Sequence, residues 1–240
     1  MDTTTVFPLL LEVVKRYNVP EHRGELHQIL CDLESFFVRR AVCELTAKNY
    51  NKLVVELLKE LHNADDFSAP AIRGVLLKQE SDISRWPNDE EFKKAWVELL
   101  FYKRLKKKAR MILEALEVAL HTGKTERVTI DATLTMEHLM SREWRRHWPL
   151  SAPEGTPEAE EQTEHRNSLL HTIGNLTLLT KELNPSVSNG PWDRKLDAIL
   201  KHSALNLNRT LAKRRDEAAI QARTDALLKT AMKLWPHPTA

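Results

Sequence analysis

Apolar residues recur at spacings of three and four through the first half of the chain, and this spacing constrains the possible folds more than any other feature. One stripe comprises Leu26, Ile29, Leu30, Leu33, Phe36 and Phe37, and a second comprises Leu53, Val54, Leu57, Leu58 and Leu61. Residues at these spacings share one face of an α-helix, which is buried against a neighbour. The chain has only 6 glycines, which favours helices because glycine is a poor helix former. The sequence therefore predicts a helical segment over residues 1–122.

Local end signals place further helices along the chain. Asn88 precedes Glu91 by three positions, the spacing of a capping box at a helix start. Pro191 favours a helix start in the second half, since proline is tolerated in the first turn, and Trp192 then lies on the buried face. A final helix is expected over residues 216–234, ending before a proline.

The pattern changes after Gly123, where short segments rich in β-branched residues alternate in polarity. Residues 127–130 and 133–136 are predicted strands, and Leu176 to Leu179 form another after a Gly-Asn turn. Between them, residues 151–166 contain Pro, Gly, Glu and Thr with almost nothing to bury, which predicts a flexible surface insertion. We therefore expect a mainly α (α+β) protein with a second domain over residues 123–240.

Composition excludes several classes of protein. Hydrophobic residues make up 42% and charged residues 29% of the chain, an ordinary globular balance. No apolar run approaches the ~20 residues of a membrane span, and no secretory signal precedes the first helix. Cys31 and Cys43 both fall in helical patterns and are expected to be reduced core thiols, which predicts a cytoplasmic protein.

Charge is distributed unevenly although the formal net charge is only +2. Three basic clusters lie at residues 103–110, 142–146 and 209–215, and an acidic stretch at residues 154–164 offsets them in the total. Basic faces therefore remain available for a polyanion. The cluster at 103–110 is equally well explained as a solvated helix face or as a DNA contact.

The element order after Gly123 matches the order of a ββα-metal, or HNH, finger, which we assign to residues 126–203. That order is strand, Glu-His, insertion, Gly-Asn, strand, Asn and helix. Hydrolysis of a phosphodiester needs a base to activate water, a cation to neutralise charge, and a group that orients the base. His138 suits the base because its ordinary pKa of ~6.5 leaves it neutral at pH 7.

Hard oxygen donors flank the predicted base. Glu137 precedes it and Asn184 precedes the last helix of the finger, and such oxygens suit Mg²⁺ or Mn²⁺. Asn175, in the Gly-Asn turn, is placed to brace the metal loop or the base. Successive strand residues point to opposite faces, so Glu137 and His138 converge on one site only if the strand bends or ends there.

Several longer segments resemble the C-terminal nuclease domain of GmrSD-type restriction endonucleases. They are Met136-Glu137-His138-Leu139-Met140, His171 to Thr180 with its Gly-Asn-Leu-Thr-Leu-Leu block, and Leu183 to Asn189 followed by Trp192 and Lys195. Leu33 to Arg40, Leu207-Asn208-Arg209 and Leu234-Trp235-Pro236 resemble other segments of the family. The resemblance covers roughly residues 25 to 238, and the Gly-Asn-Leu-Thr-Leu-Leu block is its most specific part.

The resemblance implies roles for the site residues. His138 matches the catalytic base, Asn184 the third position, which binds the metal, and Glu137 the acidic ligand beside the base. Asn175 matches the middle asparagine that organises the site. Lys195 matches a family helix position and is predicted to reach a phosphate.

Further DNA contacts are predicted from the basic clusters and from the second histidine. Arg142, Arg145 and Arg209 are candidates for contacts to the backbone. His171 is a candidate for a phosphate contact, with a packed or solvent-facing histidine as the alternative. Trp144, Trp148 and Trp192 are expected in the core.

The predicted function is a metal-dependent DNA endonuclease that restricts foreign or modified phage DNA. The family usually carries a nucleotide-using sensor domain with an Asp-Gly-Gln-Arg-type motif, which this sequence does not contain. We therefore expect a sensor on the same or another chain. Two alternatives remain at this point: a non-catalytic DNA-binding or partner-binding module, and an HNH-type ribonuclease or toxin.

Overall fold

A computed structural model describes residues 4–122, 133–187, 190–211, 213 and 216–238. The chain divides into two compact units, one of Met1–Ala95 with Met232–Ala240 and one of Trp96–Ala231. Over the described residues the chain is mostly helical, with a small sheet of two strands, which confirms the mainly α prediction. The first unit ends at Ala95, and the helices that follow residue 100 lie in the same unit as the sheet, whereas the sequence predicts a domain boundary after residue 122.

The first unit is built from helices that follow the predicted apolar stripes. They are α1 (Phe7–Tyr17), α2 (Arg23–Val42), α3 (Tyr50–Ala64), α4 (Ala69–Leu77) and most of α5 (Asp89–Glu98). Their shared core includes Leu9, Ile29, Phe36, Leu57, Phe67, Ile72 and Trp86. The predicted capping box is present at the start of α5. The Asn88 side chain accepts from the Glu91 N–H at 3.0 Å, and Glu91 accepts from the Asn88 N–H at 3.1 Å.

Two arginines of α2 are fully buried in this unit. Arg39 donates to the carbonyls of Trp235 at 2.8 Å and Pro87 at 3.1 Å, and it pairs with Asp89. Arg40 donates to backbone carbonyls, including that of Arg85 at 2.6 Å. A buried cation is tolerated only with such partners. Both guanidinium groups therefore fix irregular segments onto the helical core.

The second unit contains the sheet and the helices around it. Its elements are α6 (Phe101–Arg104), α7 (Lys107–Ala119), β1 (Leu134–His138), α8 (Pro157–Leu169), β2 (Leu176–Thr180), α9 (Leu183–Val187), α10 (Trp192–His202), α11 (Asn206–Arg209) and most of α12 (Glu217–Leu234). Its core includes Leu139, Met140, Trp144, Leu179, Leu196, Ile199 and Ile220. The expected core positions of Trp144, Trp148 and Trp192 are confirmed.

Strands β1 and β2 pair antiparallel, with Met136 opposite Leu178 and His138 opposite Leu176. The predicted strands at 133–136 and 176–179 are thus present within a residue or two. The strand predicted at Arg127-Val128-Thr129-Ile130 lies outside the described residues. Because side chains alternate along a strand, Met136 and His138 share one face of β1, while Thr135 and Glu137 share the other.

The segment expected to be a flexible insertion is largely helical, since α8 spans Pro157–Leu169. The Thr156 side chain caps its start by accepting from the Ala159 N–H at 3.3 Å, and Pro157 lies in the first turn. Arg166 is buried and donates to the Trp148 carbonyl at 2.6 Å. Sequence reasoning missed this helix because its apolar positions form no stripe, and a few distant contacts hold it instead.

Among the residues that the structure describes, no helix is long and apolar enough to cross a bilayer.

Candidate active site

Two histidines that are distant in sequence meet at the end of β1. His138 is the last residue of β1, and His171 follows α8. The Nε2 atom of His138 and the Nδ1 atom of His171 are 3.0 Å apart, so one ring donates a hydrogen bond to the other. The two residues are only 6% and 8% exposed. The structure thus brings together a predicted base and a predicted phosphate contact.

Tyr102 of α6 completes a cluster of three rings. Its ring centroid lies 4.5 Å from that of His138 and 5.7 Å from that of His171, stacked on the latter. The backbone N–H of Tyr102 donates to the His171 carbonyl at 3.3 Å. These contacts restrict both imidazole rings to one orientation.

Both histidines are held neutral. Burial is the largest cause that lowers the pKa of His138 to about 3, and His171, Arg142 and Lys195 contribute to the same shift. Burial also lowers the pKa of His171, with added contributions from Lys103 and Arg142. Desolvation and nearby positive charge both disfavour the imidazolium form. At neutral pH the pair therefore carries an unprotonated nitrogen that can accept a proton.

Asn175 fixes the chain immediately after the predicted base. It is fully buried, its Oδ1 accepts from the Met140 N–H at 2.7 Å, and its Nδ2 donates to the carbonyls of Met140 at 3.1 Å and Leu170 at 2.8 Å. The Asn175 carbonyl accepts from the Leu139 N–H at 2.8 Å. All these partners are backbone groups. Asn175 is thus placed to position His138, and its side chain contacts no other predicted site residue.

The neighbouring Gly174 allows helix α12 to approach the turn closely. A Cβ atom at Gly174 would lie 2.2 Å from both the Ile220 carbonyl oxygen and the Thr224 hydroxyl oxygen, so no larger residue fits. Arg223 of α12 donates to the carbonyls of Gly174 at 3.0 Å and Leu176 at 2.6 Å. The Gly-Asn pair therefore has two tasks, close packing and bracing of the turn.

The opposite face of β1 carries a buried ion pair. The Lys195 ammonium of α10 bonds to the Glu137 carboxylate and donates to the His138 carbonyl at 2.6 Å. Lys195 is 1% exposed and Glu137 is 7% exposed. Burial raises the pKa of the Glu137 carboxyl, and the Lys195 ammonium opposes that rise. This placement does not favour the predicted phosphate contact of Lys195, because the ammonium is buried and already bonded.

Asn184 of α9 lies against the same face of β1 as Glu137. Its Nδ2 donates to the Thr135 hydroxyl at 2.9 Å and to the Met136 carbonyl at 3.2 Å. A carbonyl can only accept, so the amide nitrogen must face the strand and the amide oxygen points away from it. The side chain is half-buried. Within the described residues, the amide oxygen of Asn184 accepts no hydrogen bond.

The donor set at this face suits a hard cation that keeps much of its water. In the part of the chain that the structure describes, no three His, Cys, Asp or Glu side chains gather to hold a metal ion. Asn184 offers its amide oxygen, and Glu137 offers a carboxylate that is also bonded to Lys195. Mg²⁺ commonly binds through one or two protein oxygens together with water and substrate phosphate. Oxygen donors of this kind are the ligands that Mg²⁺ and Mn²⁺ take, whereas a zinc site uses three or four His, Cys or carboxylate ligands.

The predicted arginine contacts are at the surface of the second unit. Arg142, Arg145 and Arg209 are all exposed. Arg145 stacks over the Trp144 ring at 4.5 Å, while the charge of Arg142 acts on both histidines. Of these three arginines, Arg142 is the one whose charge lowers the pKa of His138 and of His171.

Two residues with clear roles in this arrangement were missed by sequence reasoning. Tyr102 carries no local signal except its position at the edge of a basic cluster. Asn208, in a segment noted only for its resemblance, is fully buried, with its Oδ1 accepting from the Thr177 hydroxyl at 2.5 Å and its Nδ2 donating to the Leu178 carbonyl at 3.0 Å. Asn208 supports β2 as Asn175 supports the end of β1.

A comparison with protein families finds a match over more than half of the chain. The family model of the C-terminal domain of GmrSD restriction endonucleases matches residues 86–230, which include every residue of the site described above. No curated protein and no solved structure matches the chain.

Proposed function

We propose that this chain, which belongs to the family of GmrSD restriction endonuclease C-terminal domains, hydrolyses phosphodiester bonds of DNA with His138 as the general base. The observation that carries the proposal is the neutral His138–His171 pair at the end of β1, within hydrogen-bond distance and under the charge of Lys103 and Arg142. A neutral imidazole beside cations is the arrangement that phosphate chemistry requires, since it can take a proton where an anion is attracted.

The shared hydrogen bond defines where the proton is taken up. In a pair of neutral imidazoles, the bonded hydrogen belongs to one ring, and the other ring carries its own hydrogen on its remote nitrogen. When His138 Nε2 donates to His171 Nδ1, the lone pair of His138 Nδ1 is available to a water molecule. The incoming phosphate raises the pKa of both rings because an anion favours the imidazolium form. His138 is thus a stronger base in the complex than in the free protein.

The residues around His138 keep the base in place. Lys195 holds the His138 carbonyl, Asn175 holds the two residues that follow, and Tyr102 packs on the ring. Asn175 and Lys195 are positioning residues in this proposal, because they contact the backbone around the base and not the space in front of it.

Asn184 and Glu137 are the residues that would hold Mg²⁺ or Mn²⁺, and they lie on the face of β1 opposite to His138. His138 is the last residue of the strand, so the base and the cation can act on one phosphate only beyond the end of β1. The cation would supply charge neutralisation on the phosphate and on the leaving oxygen. The order of β1, β2 and α10, with Asn184 before α10, supports an HNH-type ββα-metal finger. Arg142, Arg145 and Arg209 are proposed to contact the DNA backbone, which adds affinity without reading sequence.

The biological role that we propose is restriction of foreign or modified phage DNA in the cytoplasm. Recognition of the target would then belong to a nucleotide-using sensor domain on the same or another chain. This chain by itself should cut random DNA with little sequence preference. Cleavage at a sharp consensus sequence would contradict the proposal that a separate sensor domain recognises the target.

A supercoiled-plasmid assay with Mg²⁺, with Mn²⁺ and with EDTA tests the nuclease proposal. We expect metal-dependent nicked or linear products, lost with EDTA and reduced by ~10²–10⁴-fold in His138→Ala, which is typical of a lost general base. His165→Ala, at an exposed position of α8, is the matched control and should retain activity. Full cleavage by His138→Ala would contradict the mechanism, and preferential cleavage of RNA of equal length would indicate a ribonuclease instead.

A further inference from the structure

A cavity of about 500 Å³ lies between α6, α7 and β1. It is lined by Tyr102, Lys103, Lys106, Lys107, Arg110 and Met136. Most of its wall is apolar, because it is formed by the Tyr102 ring, the Met136 thioether and the aliphatic parts of the lysine and arginine side chains. Lys103, Lys106 and Lys107 are exposed, so their ammonium groups remain in solvent around an apolar interior.

This cavity adjoins the histidine pair. Tyr102 lines the cavity and also contacts His138, with a centroid separation of 4.5 Å. Met136 lies two residues before His138 and therefore on the same face of β1. A molecule in the cavity would thus have one end next to the candidate base.

Lysines are concentrated at the amino end of α7, where positive side chains are unfavourable because the helix dipole is already positive there. Lys106 is the N-cap residue, Lys107 is the first helical residue, and the first turn has neither an acidic residue nor a capping side chain. The amino end of a helix is already positive, so cations there oppose folding unless an anion is present. Lys106 also has φ 49° and ψ −115°, a conformation that residues with a Cβ rarely adopt. A bound phosphate would offset the excess charge.

We infer that the cavity takes one unstacked nucleotide of the DNA strand, with its base against Tyr102 and Met136 and its phosphates on Lys103, Lys106 and Lys107. An apolar interior with an aromatic ring accepts any base by stacking, and a cationic margin tracks the backbone. The volume is within the ~300–1,000 Å³ of small-ligand sites. This inference rests on the proposed function, since it places a phosphate of that strand next to His138.

A stacked base inside a perfect duplex cannot enter such a cavity. The enzyme should therefore prefer single strands, or duplexes in which one nucleotide is already unpaired. Plain backbone binding by the same lysines predicts the opposite, because a duplex carries more phosphate charge per unit length than a single strand.

Equilibrium binding of the full chain in EDTA tests the inference without cleavage. The probes are a fluorescent single strand, a perfect duplex of equal length, and the same duplex with one extra unpaired nucleotide. We expect the bulged duplex to bind about tenfold more tightly than the perfect one, as stacking of a single base allows. Met136→Trp fills the cavity and should abolish this preference by lowering the affinity for the bulged duplex to that for the perfect duplex. Met136→Leu keeps the space and should retain the preference.

Separate variants control for the loss of positive charge and for a failure of Met136→Trp to fold. Lys106→Gln with Lys107→Gln should weaken binding of all three probes, whereas Lys201→Gln with Lys229→Gln, at exposed positions outside the cavity, should not. If Met136→Trp fails to fold, Tyr102→Leu removes the stacking ring and should abolish the same preference. Equal affinity for the bulged and perfect duplexes would overturn the inference. Loss of plasmid cleavage with the preference intact would overturn only the nuclease proposal.

Discussion

The two faces of strand β1 differ in how charge is arranged. On one face, His138 meets His171 and Tyr102, and lysines nearby face solvent. On the other face, Glu137 and Lys195 form an ion pair with almost no exposure. Adjacent residues of the Glu-His motif thus belong to different environments. The first face holds a neutral base beside exposed positive charge, and the second holds opposite charges that neutralise each other.

Glu137 and His138 therefore contribute in different ways, the first to stability and the second to reactivity. A neutral histidine near exposed cations is ready to react with an anion, and its arrangement adds little to stability. A buried ion pair is costly to break because either partner alone leaves an uncompensated charge in the interior. We therefore expect substitutions on the Glu137 face to affect folding most, and those on the His138 face to affect activity or pH response.

The largest stability effect is expected from Lys195→Met. This change leaves the Glu137 carboxylate buried without its cation and should lower the free energy of unfolding by ~3–5 kcal/mol. Denaturant titration measures the loss, and Lys201→Met, at an exposed position of the same helix, should change it by less than ~0.5 kcal/mol. Adding Glu137→Gln to Lys195→Met should restore part of the stability. A loss below ~1 kcal/mol in the single variant would mean that the pair is not buried as described.

An intermediate effect is expected from acid. The pKa of His138 is about 3 in the folded chain against an ordinary value of 6.5, so the unfolded chain binds a proton in this interval that the folded chain does not. The folded chain is therefore most stable above pH 6.5, and its free energy of unfolding falls as the pH is lowered towards 3, by about 2 kcal/mol between pH 6.5 and pH 5. His171, whose pKa is also lowered, adds to the loss.

Denaturant midpoints at neutral and at acidic pH, in EDTA, measure this dependence. His138→Gln should lose less stability than the wild type over the same interval, and His165→Gln should behave as the wild type. Parallel pH profiles of His138→Gln and the wild type would show that His138 is not desolvated in the folded chain.

The smallest effect is expected from Arg142→Ala, which removes one exposed charge from the His138 side of the site. If Arg142 contacts a DNA phosphate, the slope of log affinity against log salt should become shallower by about 1. Arg194→Ala, at an exposed position of the helix that carries Lys195, is the matched control and should leave the slope unchanged. Equal slopes for the two variants would remove Arg142 from the DNA contact surface.

Much of the helical fold was predictable because its signals are local. The stripe from Leu53 to Leu61 places α3, and Asn88 with Glu91 marks the start of α5. The run Leu176 to Leu179 is short, apolar and preceded by a turn, and it forms β2. Helix α8 was not predictable in this way, because its sequence has no apolar face and its stability depends on Thr156 as a cap and on buried Arg166.

The sequence by itself determined which residues are candidates for the chemistry, since the choice of His138, Asn175 and Asn184 follows from motif and element order. Only the tertiary structure decided which candidate site residues come into contact with one another. His138 and His171 are 33 positions apart, and Glu137 and Lys195 are 58 positions apart. Contacts over such distances depend on how the helices pack around the two strands, and local periodicity does not encode that packing. Burial then decides the chemistry, because it leaves His138 neutral and makes Glu137 depend on Lys195 for its countercharge.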